Sequence, residues 1–455
     1  MDTIVGISTA PGIGGIGIIR ISGKNSFILI NKIFKPKQDT EKQSYSIKYG
    51  HIINPKTGEE IDEVLVSFFK APASYTTEDV CEINCHGGNI IIQKILELCL
   101  ENGTRLAEPG EFTKRAFLNG RIDLIKAEAV IDIINSKTEN ENKSAINQLN
   151  GYLSEKINNI KREILELLSN IEVSIDYPEY DTPEINNNKI INILQNNINY
   201  LNKLEKSFDT GKIIKDGIKT VIIGRPNVGK SSLLNKLLKE ERAIVTSVAG
   251  TTRDTIEEYI KIEGIPLKII DTAGIRDTEN EIEQIGINKA KNIAENADLI
   301  IAVFDISNEL NDEDKKIIKF IKNKNSIIIL NKNDLNNKIN KNNKEFNFNK
   351  NNIIEISTLN ENGIEELQNK IIKIFKLNKI NLDNSELITN IRHRDLLKKT
   401  IINSNEAINT IKNNMPVDII AINIKNILES LSEITGENVS EEIINEIFSR
   451  FCLGK

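Results

Sequence analysis

The densest chemistry in the sequence lies in Val221 to Ser231, Val-Ile-Ile-Gly-Arg-Pro-Asn-Val-Gly-Lys-Ser, where an apolar run breaks into a glycine-bounded loop ending in lysine and serine. A Gly-x4-Gly-Lys-Ser loop between a strand and a helix binds phosphate, because its backbone N–H groups converge on an anion at a helix N-terminus. Val221 to Ile223 read as the buried strand and Ser231 to Leu238 as the helix. Gly224 and Gly229 supply freedom in φ, Lys230 should reach the β and γ phosphates, and Ser231 offers a hydroxyl to magnesium. A second apolar run, Pro266 to Ile270, ends in Asp271-Thr-Ala-Gly274, which places a carboxylate within reach of magnesium and Gly274 where it can bond a γ phosphate. Gly250-Thr-Thr-Arg-Asp254 lies between them, in the place of a switch loop. A third run, Ile327 to Leu330, ends in Asn331-Lys-Asn-Asp334. There an aspartate presents two acceptors to the N1–H and 2-amino groups of guanine, donors that adenine lacks.

In this order the four elements resemble the GTPase branch of P-loop proteins. The fifth element departs from that pattern: Ser357-Thr358-Leu359 stands where Ser-Ala-Lys is usual, so a stacking lysine is missing and lower guanine affinity is expected. Ras-like enzymes orient the attacking water with a glutamine after Asp-x-x-Gly, but Ile275 follows Gly274 and cannot do so. Neither Arg225 in the phosphate loop nor Arg253 in the switch is placed as an arginine finger, so the charge developing between the β and γ phosphates needs another cation. Asn227 offers a side-chain carbonyl, and the loop Thr246-Ser-Val-Ala-Gly250 can turn backbone carbonyls inward. Oxygen ligands without further carboxylates suit a monovalent ion.

Three smaller groups also carry chemical potential. Cys81, Cys85 and His86 have metal-ligand character, but no second ligand pair follows, and the alternative is a strand with Cys81, Ile83 and Cys85 on one face. Pro11-Gly-Ile-Gly-Gly-Ile-Gly17 has the look of a dinucleotide fingerprint, yet no acidic residue follows at the required distance, which favours a turn needing glycine backbone. The final Phe451-Cys-Leu-Gly-Lys455 sets a cysteine near an ammonium group, the pattern of a reactive thiol, against the alternative of a buried cysteine; it does not fit a prenylation box.

The elements that must position these residues divide the chain. At 455 residues and 39% hydrophobic content there is material for about three domains. A net charge of −6 argues against coating nucleic acid by bulk attraction, so an RNA partner would be met by a local basic patch or through a helper protein. Four cysteines without a framework, no apolar run of transmembrane length and no leader pattern lead to an expected cytoplasmic location without a membrane partner. Residues 1–118 read as mixed α/β, with strands Asp2 to Ser8, Gly17 to Ile21, Val64 to Phe69 and Val80 to Cys85, and a helix from Asn89 to Glu101. Residues 119–216 read as helical: Ala127 to Thr138, Lys143 to Ile175 and about Pro183 to Thr210, interrupted near Pro178. The nucleotide unit occupies 217–377, and 378–455 is helical again through Arg392-His-Arg394, Ile401 to Lys412, Asp418 to Thr435 and Ser440 to Phe451. The expected architecture is therefore multidomain α/β plus α, with a P-loop GTPase domain inserted into a helical domain. Asn333 to Asn352, rich in Asn and Lys, reads as a solvated loop.

The whole chain resembles one family, the tRNA-modifying GTPases called MnmE or TrmE. The resemblance runs through Asp2-Thr-Ile, Gly14-Gly-Ile-Gly-Ile-Ile-Arg-Ile-Ser-Gly23, Tyr75-Thr-Thr-Glu-Asp79, His86-Gly-Gly88, Glu108-Pro-Gly-Glu-Phe-Thr113, Arg115-Ala-Phe-Leu-Asn119, the GTPase motifs, Asn390-Ile-Arg-His-Arg394 and the final Cys-Leu-Gly-Lys. Ala10, Ile13 and Arg121 depart from the usual residues, the last standing where lysine is common. The resemblance implies an N-terminal α/β folate-binding and dimerisation domain, a helical domain and an inserted Ras-like GTPase domain. It further implies a homodimer that joins the flavoprotein MnmG in a heterotetramer. With a one-carbon folate (5-formyl- or methylene-tetrahydrofolate), this assembly would place an aminomethyl or carboxymethylaminomethyl group on C5 of the wobble uridine of certain tRNAs.

Carried over by position, the resemblance implies a folate site of Arg20, Glu82, Arg121 and Lys455, and catalytic roles for Glu283 and Cys452. It implies GTP contacts from Asn227, Val228, Gly229, Lys230, Ser231 and Ser232, and from Thr246, Ser247, Val248, Ala249, Gly250, Thr251 and Thr252. Further contacts would come from Asp271, Thr272, Ala273 and Gly274, and from Asn331, Lys332 and Asp334. Magnesium would be held by Ser231 and Thr252, and potassium by Asn227, Thr246, Val248 and Thr251. Read without the resemblance, Glu82 is a solvated strand residue and Arg20 and Arg121 are surface ion-pair partners. The alternative function is a ribosome-assembly GTPase, but such proteins carry an RNA-binding module where this chain has acidic helices and a cysteine-bearing tail. A stand-alone folate aminomethyl transferase leaves the inserted GTPase unexplained.

Overall fold

The computed structural model describes residues 2–38, 45–176, 187–241, 258–270, 295–360, 362–377, 386–452 and 454–455. They form two compact units, one from 1–131, 148–198 and 399–455 and the other from 132–147 and 199–398.

The first unit holds a seven-stranded sheet in the order β3-β4-β5-β6-β2-β1-β7. Its strands are β1 Ile4–Ile7, β2 Ile16–Ser22, β3 Phe34–Pro36, β4 Ser46–Ile53, β5 Glu60–Phe69, β6 Val80–His86 and β7 Arg105–Leu106. All neighbours are antiparallel except β1 and β7. Helices α1 Ser26–Ile33 and α2 Asn89–Glu101 bury Leu29, Ile30, Ile95 and Cys99 against Val5, Ile19, Ile21 and Ile83 of the sheet. The four expected strands and the α2 helix are present. Strand β4 escaped the sequence reading because Lys48 is buried within it, and because Gly50, a usual strand breaker, is required there: a Cβ would sit 2.3 Å from the Lys35 carbonyl oxygen.

Helix α3 Glu111–Leu118 leads into α4 Leu124–Asn135. The expected single helix from Lys143 to Ile175 is instead two, α5 Glu139–Leu149 and α6 Tyr152–Asp176. They part at Gly151, whose φ of +90° ends α5 and whose Cβ would meet the Lys126 side chain at 2.7 Å. Helix α7 is Asn187–Asp216. The stripe Ile157, Ile160, Ile164, Leu167, Leu168 and Ile171 on α6 is buried, and α6 packs on α12 Val417–Thr435, with Lys425 bonded to Glu172 at 2.8 Å. Helices on either side of the second sheet in sequence thus share a core. Helix α13 Glu441–Ser449 is shorter than expected: Ser440 caps it and the chain turns before Phe451, which joins Phe448, Ala116 and Leu124 in a small core.

The second unit holds a six-stranded sheet in the order β13-β12-β11-β8-β10-β9. The strands are β8 Ile218–Ile223, β9 Glu258–Ile262, β10 Ile265–Ile269, β11 Leu299–Asp305, β12 Ser326–Asn331 and β13 Ile353–Glu355. Only β9 runs antiparallel to its neighbour. Strands β8, β11 and β12 read as continuous Ile/Leu/Val runs because helices α8 Lys230–Glu241, α9 Asp312–Ile321 and α10 Ile364–Phe375 accompany a parallel sheet buried on both faces. The Asn- and Lys-rich stretch is not simply solvated: Ile339 and Phe346 are buried, and the Phe346 ring lies 5.4 Å from that of Phe304. Two apolar residues among many polar ones suffice to pin the loop. Helix α11 Ile391–Lys412 joins the expected helical pieces at Arg392-His-Arg394 and Ile401 to Lys412 into one, and Asn390 caps it by accepting from the Arg392 N–H at 2.9 Å.

Candidate functional site

The chain brings functional side chains together at two places, one in each unit. In the second unit, β8 delivers the phosphate loop at the carboxyl end of the parallel sheet, beside β11 and β10, where ligands of such sheets bind. The loop is shaped by close contacts that only glycine allows. A Cβ on Gly224 would lie 2.4 Å from the Val303 carbonyl oxygen, and Gly229, at φ +100°, would meet the Asn331 amide at 2.1 Å. Asn227 takes φ +61°, a left-handed value that asparagine tolerates. Val228 is buried and its carbonyl accepts from Asn331 Nδ2 at 2.8 Å, so β12 braces the loop from behind. Lys230 begins α8 and folds back to donate to the carbonyls of Gly224 and Arg225 at 2.9 and 2.7 Å. Ser231 and Ser232 follow in the first turn, where the helix dipole favours an anion. Arg225 is committed elsewhere: its Nε meets the buried Asp314 at 2.8 Å.

The base-recognition elements meet at the ends of β12 and β13. Asp334 accepts from Ser357 Oγ at 2.5 Å, and the Thr358 N–H donates to Asn331 Oδ1 at 3.3 Å, which fixes both motifs in one frame. Leu359, where a stacking lysine would come, is 80% exposed. Lys332 takes φ +66° and its Nζ pairs with Asp305 at 2.7 Å. Burial works to raise the Asp305 pKa, but the bonds from Lys332 and Ser307 outweigh it and hold the carboxyl below its ordinary value. Thr246, Ser247, Val248, Ala249, Gly250, Thr251, Thr252, Asp271, Thr272, Ala273, Gly274 and Glu283 lie outside the described residues.

The second place is in the first unit, where the tail crosses the sheet. Arg20 on β2 stands directly opposite Glu82 on β6, and its Nε donates to Glu82 Oε1 at 2.8 Å. The Gly454 carbonyl accepts from Arg20 Nη1 at 3.3 Å and from Ser8 Oγ at 3.1 Å. Gly454 has φ +86°, and a Cβ there would lie 2.0 Å from the Ile7 carbonyl oxygen, so the tail lies flush on the end of β1. Gly110 makes a second such fit at φ +68°, its N–H reaching the Cys452 carbonyl at 3.4 Å. Lys455 is thereby delivered beside Arg20 and Glu82: burial, then the Arg20 charge, holds its pKa below the ordinary 10.5 against the opposing pull of Glu82 and Cys452. The Cys452 side chain is exposed, so the buried-cysteine alternative does not hold.

All four residues assigned to the folate site therefore sit in one unit, and Arg20, Glu82 and Lys455 are neighbours. Arg121 joins through Tyr75, a residue that sequence reasoning did not single out: the ring lies 4.6 Å from the Arg121 guanidinium and 5.5 Å from that of Arg20. Its signal was its place at the head of the Tyr-Thr-Thr-Glu-Asp run. Three cations against one carboxylate leave an excess of positive charge, which suits an anionic ligand, while Glu82 adds acceptors for an amide edge. Cys81 and Cys85 face the core, and burial pushes the Cys85 thiol up to about 11. Among the described residues no three His, Cys, Asp or Glu side chains gather to hold a metal, and no helix is long and apolar enough to cross a membrane.

Comparison with known proteins gives two family models, described as "GTP-binding protein TrmE N-terminus" over residues 3–121 and "MnmE helical domain" over residues 124–452. The chain is similar to proteins called tRNA modification GTPase MnmE. The one from Acetivibrio thermocellus is 49% identical over 455 residues, covering 100% of this chain and 99% of that protein. Those from Alkaliphilus oremlandii and Ligilactobacillus salivarius are 48% and 47% identical over 457 residues each, covering 100% of this chain and 99% and 98% of theirs.

Proposed function

The chain belongs to the MnmE (TrmE) family of tRNA modification GTPases, and from that premise we propose that it couples GTP hydrolysis to folate-dependent modification of a tRNA wobble uridine. The observation that carries the folate half is the convergence of Arg20, Glu82 and Lys455 from three distant parts of the sequence, with Arg20 donating to both Glu82 and the Gly454 carbonyl. A folate, when bound, supplies the one-carbon unit that becomes the methylene attached to C5 of the uridine. Glu82 accepts from the N–H groups of the pterin edge while Arg20 orients its carboxylate through the Nε bond. Arg121 and Lys455 draw the glutamate carboxylates. Cys452, exposed at the same tail, acts in this reading on the tRNA base as a nucleophile or proton carrier, and its exposure supports that role.

The nucleotide half rests on the phosphate loop and the guanine motif. Asn227 through Ser232 cradle the phosphates, and Lys230 exchanges its loop carbonyl partners for phosphate oxygens. Asn331, Lys332 and Asp334 hold guanine. Magnesium would sit on Ser231 and Thr252. Potassium would sit on Asn227, Thr246, Val248 and Thr251, supplying the charge that Arg225, held by Asp314, does not. Glu283 orients the attacking water in place of the missing glutamine. A homodimer, joined by the flavoprotein MnmG in a heterotetramer, is the proposed working form.

The test is nucleoside analysis of bulk tRNA from cells lacking this chain. Loss of the C5-modified wobble uridine, restored by re-expression, supports the function; full modification in its absence overturns it.

A further inference from the structure

Two guanidinium groups meet one aromatic ring in the tail site. The Tyr75 ring centroid lies 4.6 Å from the Arg121 guanidinium and 5.5 Å from that of Arg20, and an aromatic face attracts both where they would otherwise repel each other. Arg20 has further holds in Glu82 and the Gly454 carbonyl. Arg121 is exposed, and among the described residues its guanidinium rests on Tyr75. The ring itself is fixed: the Tyr75 hydroxyl shares a hydrogen bond with Thr113 Oγ1 at 2.9 Å. The next residue, Thr76, is fully buried, its hydroxyl 2.7 Å from Ser22 Oγ and its carbonyl accepting from Asn119 Nδ2 at 2.7 Å.

We infer that Tyr75 is a positioning residue, which holds the Arg121 guanidinium at a set distance from Arg20 so that Arg121 can engage the carboxylate end of a folate while Arg20 stays on Glu82. The inference rests on the folate reading above. A flexible arginine loses rotamer entropy when a ligand immobilises it, and one already seated on a fixed ring loses less.

The experiment titrates 5-formyltetrahydrofolate calorimetrically into the full-length chain. Tyr75→Leu is expected to weaken binding by about fivefold, the equivalent of one exposed cation–π contact, and Tyr75→Phe by less than about twofold. On an Arg121→Ala background Tyr75→Leu should add less than about threefold, since the residue acts through Arg121. Thermal midpoints are taken for every variant, and Tyr75→Met replaces the leucine variant should the latter not fold. Equal losses on both backgrounds, or wild-type affinity in Tyr75→Leu, overturn the positioning role while leaving the folate reading standing. A wild-type chain that binds no folate overturns both.

Discussion

Replacing Gly454 with alanine should detach the tail from β1 and, with it, dismantle the proposed folate site. The new Cβ would be placed 2.0 Å from the Ile7 carbonyl oxygen and 2.6 Å from its carbon, both rigid backbone atoms of the sheet. No side-chain adjustment relieves this, so the tail must move away by more than an ångström. The φ of +86° adds a left-handed penalty of about 1–2 kcal/mol for any residue with a Cβ. Moving the tail also breaks the bonds that the Gly454 carbonyl accepts from Ser8 and Arg20. Those are worth about 1 kcal/mol for the neutral donor and about 1.5–3 kcal/mol for the charged one. The smallest sum, about 3.5 kcal/mol, predicts folate affinity weakened by about 300-fold. The cores are untouched: Phe448 and Phe451 remain anchored by α3 and α4, so the thermal midpoint should move little. The assay is calorimetric titration with 5-formyltetrahydrofolate, with GTP turnover measured in parallel. Folate affinity within about threefold of wild type would refute the claim that the tail is fixed on β1 to build this site.

Further outcomes follow from the charges. Lys455 is held below the ordinary lysine value of 10.5, so the ammonium loses its proton earlier than an exposed lysine, and affinity for an anionic folate should fall as pH rises below that value; Lys455→Arg should remove the fall, as a titration series would show. The Arg105 hydrogen bond, and then Arg115 against partial burial, holds Asp2 at about 2. Because the folded value is depressed, its contribution to stability is complete above the ordinary 3.8 and disappears as pH falls through 2. The thermal midpoint of Asp2→Asn should accordingly converge on that of the wild type between pH 4 and 2; a constant gap would contradict this. Glu283→Ala should lower kcat for GTP by about 100-fold with little change in nucleotide affinity, as measured by turnover and equilibrium binding. GTP turnover should be faster in potassium than in sodium at equal ionic strength, and aluminium fluoride with GDP should trap paired GTPase domains only with the favoured cation; equal behaviour in the two salts argues against the potassium site.

What could be read from the sequence was what is local in it. The phosphate loop, the strand before it and the helix after it are recognisable within a dozen residues, because Gly229 takes φ +100° and Lys230 bonds the carbonyls of its own loop, although the contacts that close around Gly224 and Gly229 come from distant β11 and β12. Strands β8, β11 and β12 announced themselves as continuous apolar runs, whereas β4 did not, since its Lys48 and Gly50 are set by neighbours in the sheet. The break at Gly151 was hidden because helical periodicity resumes at once on its far side. The tail site was least legible from residues alone: Ser8 and Gly454 are bonded across a separation of 446 positions, and nothing in either segment names the other. Arg20 and Glu82, read as surface charges, prove to be a cross-strand pair, a relation fixed only by the register of β2 on β6. Tyr75 was passed over because its role depends on two arginines that the sheet and α3 bring to it.

The most direct test of the account follows a carbon atom. Methylene-tetrahydrofolate carrying carbon-13 in the one-carbon unit is incubated with the chain, the proposed flavoprotein partner, GTP, the nitrogen donor and unmodified tRNA, and the tRNA nucleosides are analysed by mass spectrometry. The account predicts one heavy carbon in the C5 substituent of the wobble uridine, dependent on GTP and abolished by Cys452→Ser while that variant still hydrolyses GTP. Unlabelled uridine alongside normal folate binding and GTP turnover would contradict it.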